Sequence, residues 1–101
     1  MTLKIYILPL AETDFSEIGD YFDERSETLS QRFYGRFWDT ANTLASSPEL
    51  GSVAYFVIHG QRECVCGFSN YLLFYRVQDS TLQILRVIHG ARDYAAIFNE
   101  E

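Results

Sequence analysis

Residues Tyr71–Asp93 read YLLFYRVQDSTLQILRVIHGARD, and this stretch decides the fold of the 101-residue chain. It contains two apolar runs, Tyr71–Val77 and Leu82–Ile88, which are both rich in β-branched and aromatic residues. Such runs on either side of a short polar break predict a β-hairpin, with Asp79-Ser80 as a two-residue turn. The residues that follow the second strand, His89–Asp93, bring polar groups to its end.

Regular pairing across that turn predicts which side chains share a face of the hairpin. One face has the pairs Phe74–Leu85 and Leu72–Val87, and we assign it to the core beneath the helices. The other face has the pairs Leu73–Arg86, Tyr75–Ile84 and Tyr71–Ile88. We expect this second face to be exposed and to meet a partner, because large exposed apolar surfaces mark interaction sites. A slip of one residue would exchange the two faces.

The residues before the hairpin predict a strand and two amphipathic helices. The strand covers Leu3–Leu8, the first helix runs from Leu10 to about Ser26, and the second runs from about Thr28 to Ala45. Apolar residues recur every three or four positions in both helices, which is the spacing of one buried face. They are Ala11, Phe15, Ile18 and Phe22 in the first helix, and Leu29, Phe33, Phe37, Ala41 and Leu44 in the second.

Further strands are predicted between the second helix and the hairpin. Arg62–Phe68 alternates as a strand does, and Val53–Ile58 is a strand or an extended segment. The order is therefore a strand, two helices and then three or four antiparallel strands. We predict a single α+β domain over residues 1–101, of order β-α-α-β-β-β, with a helical hairpin packed on an antiparallel sheet.

Composition and charge exclude several classes of function. One Lys and seven Arg face fourteen acidic residues, and the net charge is −6. Affinity for nucleic acid depends on neutralising phosphates, so we expect no direct nucleic-acid binding. No apolar run approaches the roughly 18 residues of a membrane span, and no signal-peptide pattern is present, so we place the protein in the cytoplasm. Cys64 and Cys66 lack the spacing of a zinc site, and we expect no metal and no cofactor.

The arginines and the histidine of the second half offer two interpretations. In a catalytic one, His89 moves a proton while arginines such as Arg62 and Arg86 stabilise the charge that develops on an RNA phosphate. In a structural one, His89 bonds the next turn and the two arginines pair with acids on the helices. Arg92 and Asp93 then form a local ion pair.

Four motifs taken in order make a family resemblance specific. They are Ala-x-x-Asp-Phe-x-x-Ile from Ala11, Gly60-Gln61-Arg62, the tyrosine-rich Tyr71–Val77, and the closing Ile84–Asp93. Together they resemble the ParE branch of the RelE/ParE superfamily, the toxins of type II toxin–antitoxin systems. The resemblance covers nearly the whole chain.

The resemblance implies a RelE/ParE-like fold of two helices on a curved antiparallel sheet. It implies a ParD-like antitoxin, which would meet the acidic first helix and the apolar outer face of the sheet in a hetero-oligomer. It also implies growth arrest through inhibition of DNA gyrase, by a protein that is not an enzyme. The expected contact residues are then Arg62, Tyr75, Arg86, His89, Arg92 and Asp93.

Two alternatives stay open. A RelE-type toxin that cleaves mRNA on the ribosome would use His89, Arg62 and Arg86, although such nucleases are basic and this chain is acidic. A decayed toxin would survive only as an antitoxin-binding module.

Overall fold

The computed structural model describes residues 2–58, 61–68 and 70–90, and within these it leaves out the side chains of residues 53–58, 61–65 and 68. The elements are β1 (Lys4–Ile7), α1 (Pro9–Asp23), α2 (Glu27–Ser46), a single 3-10 turn (Pro48–Leu50), β2 (Ser52–Ile58), β3 (Gln61–Phe68), β4 (Tyr71–Gln78) and β5 (Thr81–His89). Both predicted helices and the predicted hairpin are confirmed. The predicted order β-α-α-β-β-β lacks one strand, because the segment from Ser52 is a full strand that pairs with β3.

The five strands form one sheet in the order β1-β5-β4-β3-β2. The four strands after the helices pair antiparallel in sequence, as predicted. β1 instead joins the far side of β5 and runs parallel to it, with Ile5 opposite Leu82 and Ile7 opposite Ile84. The sheet is therefore mixed. Periodicity identifies β1 as a strand but contains no information on which edge it joins.

Local signals in the sequence set the ends of the helices. Pro9 is the first residue of α1, where its fixed φ suits a helix and its missing N–H costs nothing. Ser26 is the N-cap of α2, and its hydroxyl accepts a hydrogen bond from the Leu29 backbone N–H at 3.4 Å. α2 ends at Ser46, two residues before Pro48, in agreement with the predicted stop.

The helices pack closely against each other and against one face of the sheet. Gly19 of α1 lies against the Tyr34 ring of α2, and a Cβ at position 19 would overlap that ring. The buried core residues are Ala11, Phe33, Phe37, Ala41, Leu44 and Ala45 from the helices, and Leu73, Tyr75, Leu82, Ile84 and Val87 from β4 and β5.

The β4–β5 turn is as predicted, but the pairing beyond it is not. Asp79 and Ser80 have φ values of 53° and 59°, as the two central residues of a type I′ turn require. Tyr75 pairs with Ile84, but a β-bulge at Leu85 then shifts the register by one residue. The other four predicted pairs are therefore wrong. The observed pairs are Phe74–Arg86, Leu73–Val87, Leu72–Ile88 and Tyr71–His89.

The bulge also explains why the predicted assignment of faces is reversed. Because of the bulge, Leu73 lies opposite Val87 and not opposite Arg86. The face that contains Leu73, Tyr75 and Ile84 therefore has no charged residue in its centre, and it packs under the helices. The opposite face, where Phe74 and Leu85 were predicted to lie in the core beneath the helices, is not exposed either. Phe74 is 0%, Leu85 7% and Ile88 1% exposed. Continuous apolar runs such as those of β4 and β5 are typical of strands buried on both faces.

The large apolar side chains that are exposed lie elsewhere among the described residues. Most belong to the helical hairpin and to β1: Tyr6, Leu10, Tyr21, Leu29 and Trp38. None of the described helices has the length and apolar character needed to cross a bilayer.

Candidate functional site

Arg86, a predicted site residue, is held by an acid of the first helix. Its Nε donates to Asp14 Oδ2 at 2.7 Å and its Nη2 donates to Asp14 Oδ1 at 3.1 Å. The two side chains are only 13% and 12% exposed. Paired in this two-pronged way, the guanidinium is directed to the carboxylate. The structural interpretation of Arg86, a pair with an acid on a helix, is thus confirmed.

Asp14 also completes the hydrogen bonding of β5. β1 stops beside β5 at Ile84, whose carbonyl accepts from Leu8 N–H at 3.0 Å. Beyond that point Asp14 Oδ2 accepts from Val87 N–H at 3.0 Å, and so replaces the missing strand neighbour. The Asp-Phe motif of α1 therefore joins the helix to the sheet.

Tyr75, another predicted contact residue, lies inside the molecule. It is 1% exposed, and its hydroxyl donates to the Pro48 carbonyl at 2.6 Å and accepts from Gly51 N–H at 3.1 Å. Gly51 packs so closely on the ring that a Cβ there would overlap it. Tyr75 therefore holds the segment between α2 and β2 in place. Because its side chain is buried, it offers no surface to a partner.

His89 lies at a surface hollow that the sequence did not reveal. The hollow has a volume of about 480 Å³ and lies between α1 and the edge of the sheet where β4 begins and β5 ends. We call it the α1 hollow. Its lining is acidic, aromatic and amide-bearing: Asp14, Glu17, Ile18, Tyr21, Phe22, Asn70, Tyr71, Val87, Ile88 and His89.

Short contacts fix the strand ends in this hollow. The His89 ring meets the Tyr71 ring edge to face, with centroids 5.2 Å apart. The Asn70 carbonyl accepts from Gly90 N–H at 2.9 Å, which closes the open end of the hairpin. Burial, and then the neighbouring Tyr21, raise the pKa of Tyr71, so its hydroxyl remains protonated and can donate.

A smaller hollow lies on the other side of the Phe22–Tyr71 pair. It measures about 190 Å³ and is lined by Phe22, Leu29, Arg32, Phe33, Arg36 and Tyr71. We call it the α2 hollow. The two hollows share Phe22 and Tyr71, whose rings meet edge to face at 6.3 Å.

The remaining predicted residues belong to parts of the chain that the structure does not describe. The Arg62 side chain, and Arg92 and Asp93 entirely, lie outside the described residues. Sequence reasoning missed Glu17, Tyr21 and Asn70. The available signals were weak: acids along α1 and a polar residue just before a strand.

Comparison with known proteins defines the class first. The fold matches that of a chain in the chromosomal ParDE toxin–antitoxin system of P. aeruginosa, with a TM-score of 0.67 and 16% identity over 87% of this chain and 96% of that one. It also matches a chain of the toxin–antitoxin complex RelBE2 from Mycobacterium tuberculosis, with a TM-score of 0.57 and 18% identity over 88% and 99% of the two chains. The architecture is thus one found in type II toxin–antitoxin complexes.

The sequence comparisons then give the family. The model for the ParE toxin of the type II toxin–antitoxin system parDE matches residues 5–94. Toxin RelE2 of Caulobacter vibrioides is 34% identical over 82 residues, which are 81% of this chain and 89% of that protein. The chain belongs to the ParE toxin family of type II toxin–antitoxin systems.

Proposed function

We propose that this protein arrests growth by binding DNA gyrase in the cytoplasm, and that a ParD-like antitoxin neutralises it in a hetero-oligomer. The target and the partner come from the family resemblance. The observation that carries the preference for binding over RNA cleavage is the pairing of Arg86. Its guanidinium is paired with Asp14 at 2.7 Å and 3.1 Å, and it is mostly buried.

A nuclease would need cations directed at phosphates. Releasing Arg86 for that purpose would leave Asp14 with an unpaired, nearly buried charge, which costs several kcal/mol, roughly 3–5. The net charge of −6 further opposes docking on ribosomal RNA. Both facts support an action through contacts with proteins.

The antitoxin interface is best sought on the helical hairpin. Leu10, Tyr21, Leu29 and Trp38 are between 41% and 51% exposed. Tyr75, Ile84 and Ile88, which the sequence placed on the face expected to meet the antitoxin, are buried. Exposed aromatic and aliphatic side chains are typical anchors for a partner segment.

The name of one relative favours a second candidate function. RelE2 is the 34% identical relative, and RelE-type toxins are expected to cleave mRNA on the ribosome. In this chain His89 is the described side chain best placed for proton transfer, since it is exposed at the α1 hollow beside Tyr71.

Two assays on one preparation test the proposal. Purified protein is added in increasing amounts to a gyrase supercoiling reaction and to a translation reaction with a labelled mRNA. Loss of supercoiling at a modest molar excess, with intact mRNA, is the expected result. Cleaved mRNA with normal supercoiling would replace the proposal by the nuclease. Binding to a ParD-like antitoxin without either activity would identify a decayed toxin.

A further inference from the structure

The two hollows form one interrupted groove around the connected end of the helical hairpin, where α1 ends and α2 begins. Phe22 and Tyr71 belong to both, so their rings form the saddle between them. The buried Phe33 packs against both rings, with its centroid 5.7 Å from that of Phe22 and 5.5 Å from that of Tyr71. A partner segment crossing the saddle would meet the half-buried rings of Phe22 and Tyr71.

The ends of this groove differ in charge. The α1 hollow receives the exposed carboxylate of Glu17 and one edge of Asp14. The α2 hollow receives Arg32 and Arg36, which are four positions apart on one face of α2. The two helices that supply these residues differ in charge in the same direction. α1 has five acidic residues and no basic one, whereas α2 has two of each.

Two arginines lie near the acidic end and reduce its charge without reversing it. Arg86 neutralises Asp14 directly. Arg25 stacks on the Tyr21 ring, 3.6 Å from its centroid, and donates to the Tyr21 carbonyl. Glu17 is therefore the carboxylate that gives the α1 hollow its charge.

We propose that the groove binds one segment of a partner protein that places a basic side chain in the α1 hollow, an apolar or aromatic side chain on the Phe22–Tyr71 saddle, and an acidic side chain in the α2 hollow. The groove discriminates between segments by the order of their charges, because each end would repel a residue of its own sign. The identity of that partner as the antitoxin rests on the proposed function; the charge order does not.

Three blocked, fluorescent peptides test this groove on the purified full chain. The first is Lys-Lys-Gly-Leu-Trp-Leu-Gly-Glu-Glu. The second has lysine at both ends and the third has glutamate at both ends, with the same centre. We expect the wild-type protein to bind the first peptide about 5-fold more tightly than either of the others, the ratio expected from one partly exposed ion pair.

Substitutions should then switch the preference. Glu17→Arg makes both ends basic and should favour the glutamate-ended peptide. Arg32→Glu places an acid beside Arg36, which cancels the charge of the α2 hollow, and should remove the preference for a glutamate end. Glu12→Arg and Lys4→Glu carry the same changes in net charge at exposed positions away from the lining. These two controls should keep the wild-type order.

The inference fails if the wild-type protein binds none of the peptides or does not prefer the first, or if the controls switch the preference as the groove variants do. Glu17→Gln provides a second test that adds no charge, and it should remove the preference for a lysine end. Peptide binding requires no toxic activity. A switch without growth arrest would therefore refute the proposed function alone, and arrest without a switch would refute the groove alone.

Discussion

The middle and the end of the β4–β5 hairpin use polar residues in opposite ways. In the middle, Tyr75 is buried and Arg86 is mostly buried, and their polar atoms bond to the chain itself. At the end, His89 and Asn70 are exposed beside the α1 hollow. Both regions appear in the sequence as polar groups next to apolar runs. A polar residue inside a doubly buried strand must find its partner within the fold, whereas one at the strand end is also exposed to solvent and to other molecules.

The sharpest way to break this comparison is to remove the acid that serves the middle of the hairpin. Asp14→Ala leaves the Arg86 guanidinium and the Val87 N–H without their shared acceptor. We expect a loss of about 3 kcal/mol in the free energy of unfolding, measured by urea titration. Glu17→Ala, one turn along the same helix and exposed, should change it by less than about 0.5 kcal/mol. Equal effects of the two variants would contradict the distinction.

The contact between α1 and α2 is closest where Gly19 meets the Tyr34 ring. Gly19→Ala places a methyl group against that ring and should cost about 2 kcal/mol of stability, because either the Tyr34 side chain must leave its position or the helices must separate. Gly35→Ala is the matched control. No atom lies within 4 Å of its added Cβ, so the better helix propensity of alanine should stabilise the protein by about 0.5–1 kcal/mol. A stabilising Gly19→Ala variant would show that the two helices are not in close contact at Gly19.

Tyr75 can be tested separately as a structural or a contact residue. Tyr75→Phe keeps the buried ring but loses the hydrogen bonds to Pro48 and Gly51. We expect it to cost about 1–2 kcal/mol in urea unfolding and to leave growth arrest intact. If the variant no longer arrests growth although its stability is unchanged, Tyr75 is a contact residue.

The smallest expected effect is a dependence of stability on alkaline pH. Burial, and then Asp23 and Asp20, raise the pKa of Tyr34 above its ordinary value of 10.0, and burial raises that of Tyr71. The unfolded chain therefore loses these protons first. The stability contributed is complete below that ordinary pKa and is lost as the pH rises through the raised one. Tyr34→Phe should flatten this decline in the melting temperature, and an unchanged slope would exclude Tyr34 as a source.

The elements of the fold were predictable from the sequence, while its long-range contacts were not. The Asp79-Ser80 turn and the apolar faces of α1 and α2 follow from local chemistry and periodicity. The bulge at Leu85 leaves no local mark, and it reverses the assignment of both faces. Arg86 finds its partner 72 residues away, at Asp14, which periodicity along the chain cannot reveal.

The site was less predictable than the fold because its lining comes from separate segments. α1 supplies Glu17 and Phe22, and the ends of the hairpin supply Tyr71 and His89. Of these only His89 was identified as a site residue from the sequence. The others resemble core or solvated positions until the chain is folded.

The most direct test of the account is the toxicity of His89→Ala, scored as the amount of protein needed to halve the growth rate. Asn70→Ala, at another exposed position of the same hollow, is the control. If the protein acts by contacts, each variant should require at most about 10-fold more protein, as losing one contact residue implies. If His89→Ala alone requires about 100-fold more protein or abolishes arrest, His89 acts as a catalytic acid or base, and the binding account is wrong.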